Sequence, residues 1–293
     1  MFYKTSSAGR RMLHLLEDWA KWNVCDRRPD VGQVEPLPGG LTNQSFVLHL
    51  KSGDYVLRLE AGNSDELDIH RDVEYLVHQQ AAVLGLVPKI LYRRRDPDKY
   101  WIRQYLKGEM VRRETITDSV LDEMAQRLHR LHQVYADERI PELSISAKAQ
   151  RYWLAIRQHA NGQLSAELDA LFPRLQRLLS RAPDDALCIC HMDPTLSNWI
   201  KTANGLQLVD WEYAALGHPL WDLAVLVQDA KLDDLQQQRL LSRYFADGGF
   251  DRHAWRHAQT QMKYIAALWY GAQGIWSLRD LEAYLLTLAA VDL

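Results

Sequence analysis

The sequence predicts an α+β protein: a small antiparallel sheet with one helix, followed by a mainly helical region that carries a short β insert. Three observations lead there. Up to about residue 106, short runs rich in β-branched and aromatic residues alternate with Gly, Pro and Asp turns, with one helical pattern among them. Beyond 106 the apolar period is helical almost throughout. The exception is HMDPTLSNWIKTANGLQLVD, residues 191–210, where β-like pieces flank a cluster of Asp and Asn.

Taken in order, Met12, Leu13, Leu15, Leu16, Trp19 and Trp22 recur at about the helical period and predict a helix over 9–22, packed on the sheet that follows. Strands are expected at 34–37, 45–50 and 55–59, separated by Pro38-Gly39-Gly40 and by the Ser52-Gly53-Asp54 turn. Ile69, Val73, Leu76, Val77 and Val83 share one side of a helix over 68–84 that Gly85 ends. Residues 89–94 and 100–105 read as strands joined by the turn Asp96-Pro97-Asp98. Helices follow at 119–134, 147–159 and 165–179, and again from about 219 to the end, with short strands at 187–189, 199–201 and 206–209 between them. The expected division is an N-terminal helical extension (1–30), a sheet-and-helix lobe (31–106) and a helical lobe (107–293).

At 293 residues the chain is long enough for a sizeable core, and 35 basic against 38 acidic residues leave a net charge of −3, without the basic footprint of a nucleic-acid binder. Cys25, Cys188 and Cys190 are an odd set in a long chain, which favours a reducing compartment. Cys188 and Cys190 lie on an apolar strand with no second ligand pair in the sequence, so buried structural thiols are expected rather than a metal site. The N-terminus lacks an apolar signal-peptide core, and no apolar run approaches the ~20 residues that span a bilayer. A cytoplasmic protein without membrane or nucleic-acid partners is the expectation.

The chemistry concentrates in 191–210. Asp193 is followed by Asn198 five residues on and by Asp210 seventeen residues on, the last two at the edges of an expected hairpin. A Mg²⁺-nucleotide site needs hard oxygen ligands from separate chain segments, which Asn198 and Asp210 supply. Asp193 is then free to orient and deprotonate an alcohol. Between the first two strands, Gly39-Gly40-Leu41-Thr42-Asn43-Gln44-Ser45 has small residues and backbone N–H groups suited to phosphates, although it is not a Walker motif.

HMDPTLSN, LVDWEYA and GHPLWDLA, in this order and spacing, resemble the aminoglycoside phosphotransferase and choline kinase superfamily, small-molecule kinases on the protein-kinase fold. Asp-Trp-Glu-Tyr at 210–213 and Pro-Leu-Trp-Asp-Leu-Ala at 219–224 are most similar to bacterial choline kinases and thiamine kinases. The resemblance runs from about residue 34 to 280 and implies a two-lobed protein-kinase-like fold, ATP and Mg²⁺. It implies that Asp193 is the catalytic base, that Asn198 and Asp210 are metal ligands, and that His191 and Asp222 brace the catalytic loop. It further implies nucleotide contacts from Gly39, Gly40, Thr42, Asn43 and Ser45, and a cation on the third strand, Arg58, held by Glu74. Asp72 and Glu66 are the other acids near that helix. The hinge that reads adenine would be Gln104-Tyr105-Leu106, with Gln104 and Leu106 in contact.

Acceptor identity depends on the last third of the chain, where Trp255, Tyr264, Trp269, Tyr270, Trp276 and Tyr284 occur. Choline-like kinases surround a cation with such rings, each contact being worth ~0.5–2 kcal/mol. Trp269 and Trp276, with Glu212 as a negative wall, are the expected acceptor contacts, although their seven-residue spacing also suits core positions of a helix. Choline or ethanolamine, with thiamine close behind, is the expected acceptor. An aminoglycoside or amino-sugar kinase, and a nucleotide-binding module without catalysis, are the alternatives.

Overall fold

Five strands of the first hundred residues pair antiparallel in the order β1-β2-β3-β5-β4, where β1 is Val34–Leu37, β2 Gln44–Leu50, β3 Gly53–Leu59, β4 Ile90–Arg94 and β5 Tyr100–Gln104. The structure, a computed structural model, describes residues 7–38, 43–60, 69–96, 98–161, 164–179, 187–246 and 249–291. Two compact units are present: Met1–Glu109 with Ile200–Glu212, and Met110–Trp199 with Tyr213–Leu293.

In the first unit the two-residue period of the strands separates two kinds of environment. One face of the sheet presents Phe46, Leu48, Leu57, Leu59, Tyr100 and Ile102 to the N-terminal segment. That segment is α1 (Ser7–Leu15), a 3₁₀ turn and α2 (Trp19–Trp22), and it inserts Met12, Leu15, Leu16 and Trp22 into the same core. The other face carries Val56, Ile90 and Trp101, with Arg58 and Arg103 among them, and Tyr75 of α3 (Arg71–Val83) packs there. Gly85, at φ +69°, ends α3, and the Leu86 N–H donates back to the Ala81 carbonyl, a turn that only a residue tolerating the left-handed region closes cheaply.

The Gly108 Cα, in β6 (Gly108–Met110), lies so close to the Lys201 carbonyl that any Cβ would collide with it. The second unit then runs through α4 (Asp118–His132), α5 (Ile145–His159), α6 (Ala166–Gln176) and β7 (Cys188–Cys190). Thr117, Ser144 and Ser165 cap the three helices, each accepting an N–H of the first turn. Next in the chain is the hairpin β8 (Trp199–Thr202) and β9 (Gly205–Leu208), which from Ile200 onward belongs to the first unit. β10 (Ala215–Gly217) pairs antiparallel with β7, and α7 (Pro219–Ala230) starts directly after it with Pro219 in its first turn. Then come α8 (Asp234–Phe245), α9 (Arg252–Ala272) and α10 (Leu278–Val291). α9 packs against α5 and α7, and α4 against α8.

The expected strands and helices are found, with ends shifted by a few residues. The N-terminal helix is broken by its 3₁₀ turn, and the start expected at Asp68 falls outside the described residues, as does Pro97 of the turn before β5. β6 and β10 were not expected. Each is three residues long and is defined by its pairing rather than by any alternation of its own. Among the described residues, no helix is long and apolar enough to cross a membrane.

A polar cluster fixes the N-terminal segment to the sheet. Trp22 Nε1 donates to Tyr100 Oη (2.8 Å), and Tyr100 Oη donates to Asp18 (3.0 Å). Arg94 (2.7 Å) and Lys21 (2.6 Å) close on the same carboxylate. Burial pushes the Asp18 carboxyl up, but the hydrogen bonds from Lys21 and Tyr100 and the charge of Arg94 outweigh it and hold the group below its ordinary value. With the folded-state pKa below the unfolded one, this contribution is complete above the unfolded pKa of ~3.9 and is lost as the pH falls through the folded value. Asp18→Asn is expected to lower the unfolding free energy by about 1–3 kcal/mol at pH 7. Urea titrations at several pH values should show the gap to wild type shrinking below about pH 4.

Candidate active site

In the second unit, β7 delivers the loop from His191 to Asn198, and that loop is held mainly by side-chain acceptors reached by its own backbone. Asp222, fully buried in the first turn of α7, accepts the N–H of His191 (2.7 Å) and of Met192 (2.7 Å). Asp229, two turns further along α7, accepts the N–H of Leu196 (2.7 Å). The Asp193 N–H donates to His191 Nδ1 (3.2 Å), and Trp199 Nε1 donates to the Pro194 carbonyl (3.2 Å). Met192 sits at φ +66°, a left-handed conformation that costs a non-glycine residue about 1–2 kcal/mol. The hydrogen bonds on either side of it sustain that conformation.

Asp222 is itself positioned. His132 Nε2 donates to it (3.1 Å), while His132 Nδ1 is hydrogen-bonded to the Tyr244 hydroxyl (2.7 Å). These two bonds fix the orientation of the buried imidazole. His132 also lies with Cys188 and Cys190, their ligand atoms within 4.8 Å of one another. Both ring nitrogens of His132 are engaged, however, and the two thiols bond to the Gly217 and His218 carbonyls (3.6 and 3.5 Å). Burial, with Cys188 alongside, pushes the Cys190 thiol well up, so it stays protonated and packs as a small apolar group. All three cysteines are free thiols.

Asn198, also buried, donates through Nδ2 to the Asp193 carbonyl (2.8 Å) and to Asp193 Oδ2 (3.0 Å). Its amide is thereby oriented with nitrogen toward Asp193, and its oxygen remains as the atom suited to a hard cation. Asp193 is half-buried and lines a cavity of about 590 Å³ within the second unit. Trp269 and Tyr270 of α9 form part of its wall, as do Tyr152 of α5 and Tyr213. Trp276 is one ring removed, stacked on Tyr270 (centroids 5.1 Å apart, planes at 20°), and Tyr284 meets it edge-on at 5.1 Å. Trp255 and Tyr264 are buried in the helical core.

In the first unit, a network of charges surrounds Arg58. Its guanidinium lies over the ring of Trp101 (5.1 Å) and pairs with Glu74, with Glu212 (3.2 Å) and with Asp210 (3.4 Å). Arg71, in the first turn of α3, donates to Glu74 (2.8 Å), to Glu212 (3.3 Å) and to the side-chain oxygen of Asn43 (2.8 Å). Asn43 Nδ2 in turn donates to Glu212 (2.7 Å). Arg58, Arg71, Glu74, Glu212 and Asn43 are all buried. Burial pushes the Glu74 carboxyl up, but Arg58 and Arg71 overcome this and hold it below its ordinary value; burial likewise opposes the Arg58 charge, and Glu74, Asp210 and Glu212 more than restore it. Asp210, at φ +65°, is the partly open member, and burial pushes its carboxyl up against the pull of Arg58. A carboxylate disfavoured in this way gains from a divalent cation, which fits the oxygen chemistry expected of it.

Ser45 stands opposite Arg58 in the β2–β3 register, and Gln104 ends β5 opposite Tyr55, with half-buried Leu106 two residues beyond. Gly39, Gly40 and Thr42 lie outside the described residues, as does Glu66. Asp72, the other acid near Glu74, faces outward and pairs with Arg93 (2.8 Å). The structure places Glu212 in the arginine network, where its carboxylate accepts from Asn43, Arg58 and Arg71. The structure adds Arg71, Arg103, His132 and Lys148, all buried, to the residues singled out from the sequence. Arg71 carried a usable signal, three residues before Glu74 on one helix and so on the same side. Arg103, buried over Trp101 (5.8 Å) and lowered to about 10 by burial and by Arg58, gave none beyond its place in a strand.

Residues 33–258 match the phosphotransferase enzyme family, and the chain belongs to it. Protein LicA of Haemophilus influenzae is 26% identical over 209 residues, a match covering 70% of this chain and 61% of LicA. The structure of a choline/ethanolamine kinase family protein from Mesorhizobium loti is similar with a TM-score of 0.69 at 25% identity, covering 94% of each chain. That of the choline kinase LicA from Streptococcus pneumoniae gives 0.69 at 21% identity, covering 95% of this chain and 97% of that one. The family and the protein-kinase-like α+β fold expected from the motifs are therefore borne out.

Removing the Asp222 carboxylate would strand two backbone N–H groups and an imidazole in a dry interior, each unpaired donor costing about 1–3 kcal/mol. Asp222→Ala is accordingly expected to lower the unfolding free energy by about 2–5 kcal/mol, measured by denaturant titration.

Proposed function

We propose that the protein is an ATP-dependent kinase of a small cationic alcohol, with choline or ethanolamine ahead of thiamine. The observation that carries this reading is that Asp193 opens onto the cavity walled by Trp269 and Tyr270. A hydroxyl brought to Asp193 has a general base beside it, and a positive nitrogen on the same small molecule has ring faces within the same space. The similarity to a choline/ethanolamine kinase family protein supports the same acceptor class.

In this reading Asp193 accepts the hydroxyl proton, and Asn198 holds the Asp193 carboxylate in place through its amide N–H. Asn198 and Asp210 are the residues assigned to Mg²⁺, which would neutralise charge on the transferring phosphoryl group. Arg58, kept charged by Glu74 and Glu212, is assigned to the nucleotide phosphates, where a guanidinium fork suits oxygen pairs. Ser45 and the glycine loop before it, with Gln104 and Leu106, complete the assigned nucleotide contacts. Glu212 acts on this reading by positioning Arg58 and Arg71, and Trp276 by backing Tyr270.

Asp193→Ala is expected to keep ATP affinity, measured by calorimetry, while turnover falls by at least ~10²-fold. Wild-type-like phosphorylation by that variant would remove Asp193 from its role. The acceptor is tested with Mg-ATP and a panel of choline, ethanolamine, thiamine, kanamycin and amino sugars, followed by ADP release. Turnover of amino sugars or kanamycin alone would overturn the proposal.

A further inference from the structure

The cavity that holds Asp193 contains a cation of its own. Lys148 Nζ stands 4.8 Å from the ring centre of Tyr213 and 5.5 Å from that of Tyr152, and the residue is only 8% exposed. Lys148 and Tyr152 are four residues apart on α5, so they meet on one side of the helix, among its buried Ile145, Ala149 and Ile156. An ammonium over a ring face is the position that a cationic ligand would otherwise take. Two of the four aromatic residues lining the cavity are therefore already engaged by a side chain, while Trp269 and Tyr270 have no such cation over them among the described residues. The cavity's other charged residues are Asp193, Asp229 and Lys231, the last two where α7 ends.

We infer that Lys148 is a specificity-determining residue: it confines an acceptor's cation to the Trp269 and Tyr270 end and selects a primary ammonium over a quaternary one. A quaternary ammonium has no N–H and is held by ring faces, so it loses most when two faces are taken. A primary ammonium has three donors, keeps its bonds to oxygen acceptors such as the Asp229 carboxylate, and depends less on rings. Both cations are kept from the two occupied ring faces, but only the primary one has a second means of attachment. The inference rests on the proposed acceptor class and narrows it toward ethanolamine.

Binding separates the two ideas. Choline and ethanolamine are titrated into wild type, Lys148→Met and Lys148→Arg, reading tryptophan fluorescence, with circular dichroism as the check on folding. Lys148→Gln stands in should the methionine variant not fold. In Lys148→Met choline is expected to bind about tenfold tighter, with the choline-to-ethanolamine preference shifting at least fivefold toward choline. Lys148→Arg, which keeps a cation over the rings, should retain the wild-type preference. A choline affinity in Lys148→Met within twofold of wild type, or no choline binding to any variant, overturns the inference. If choline tightens as expected but wild type phosphorylates neither alcohol, the kinase assignment fails and the role of Lys148 stands. If wild type phosphorylates them and the affinities do not move, the reverse holds.

Discussion

The geometry of the Asp193 loop depends on one buried carboxylate. Asp222 accepts two consecutive backbone N–H groups and an imidazole, so the turn after β7 can take only the path that brings all three donors to it. A carboxylate has room for several donors, whereas a neutral amide would have to turn an N–H toward at least one of them. Because Asp222 lies in the first turn of α7, partly unpaired helix N–H groups also favour its negative charge. Asp193, Asn198 and the cavity wall at Met192 all follow from this turn. His132 and Tyr244 extend the support outward, so that α4 and α8 are tied to the loop although neither contributes a residue to the cavity.

The first unit solves a different problem, which is keeping arginines charged in a dry place. Arg58 and Arg71 meet Glu74 and Glu212 in near balance, and Asn43 supplies both a donor and an acceptor. An isolated buried guanidinium would be far too costly, but a mutually bonded set is tolerable, and losing one member exposes the rest. Such a network is better understood as fixing where Arg58 points than as adding stability. Asp210 meets Arg58 at the longer distance of 3.4 Å and is more exposed than Glu74 and Glu212, which leaves its carboxylate less committed than theirs.

Most of the architecture was legible in the sequence because its signals are local. Periodicity marked the five strands of the sheet, α3 to α6 and the helical character beyond residue 219, and Gly85 ends α3 as its type implies. Asp193, Asn198 and Asp210 stand out as candidates because their spacing is set within one short segment. What escaped is what only tertiary pairing creates. β10 exists because β7 lies beside it, and the burial of Lys148 against Tyr152 and Tyr213 has no counterpart in the local sequence. Glu212 follows the motif Asp by two residues and looked like a wall for the acceptor, but charge balance draws it to the arginines.

Met192 carries a further consequence. Its backbone adopts a conformation natural to glycine, yet its side chain forms part of the cavity wall beside Asp193. A glycine there would relax the main chain and at the same time widen the cavity beside Asp193. Relief of strain and closeness of fit are thus opposed at one residue. Any change in the size of this cavity made at position 192 therefore also changes the strain of the loop that carries Asp193.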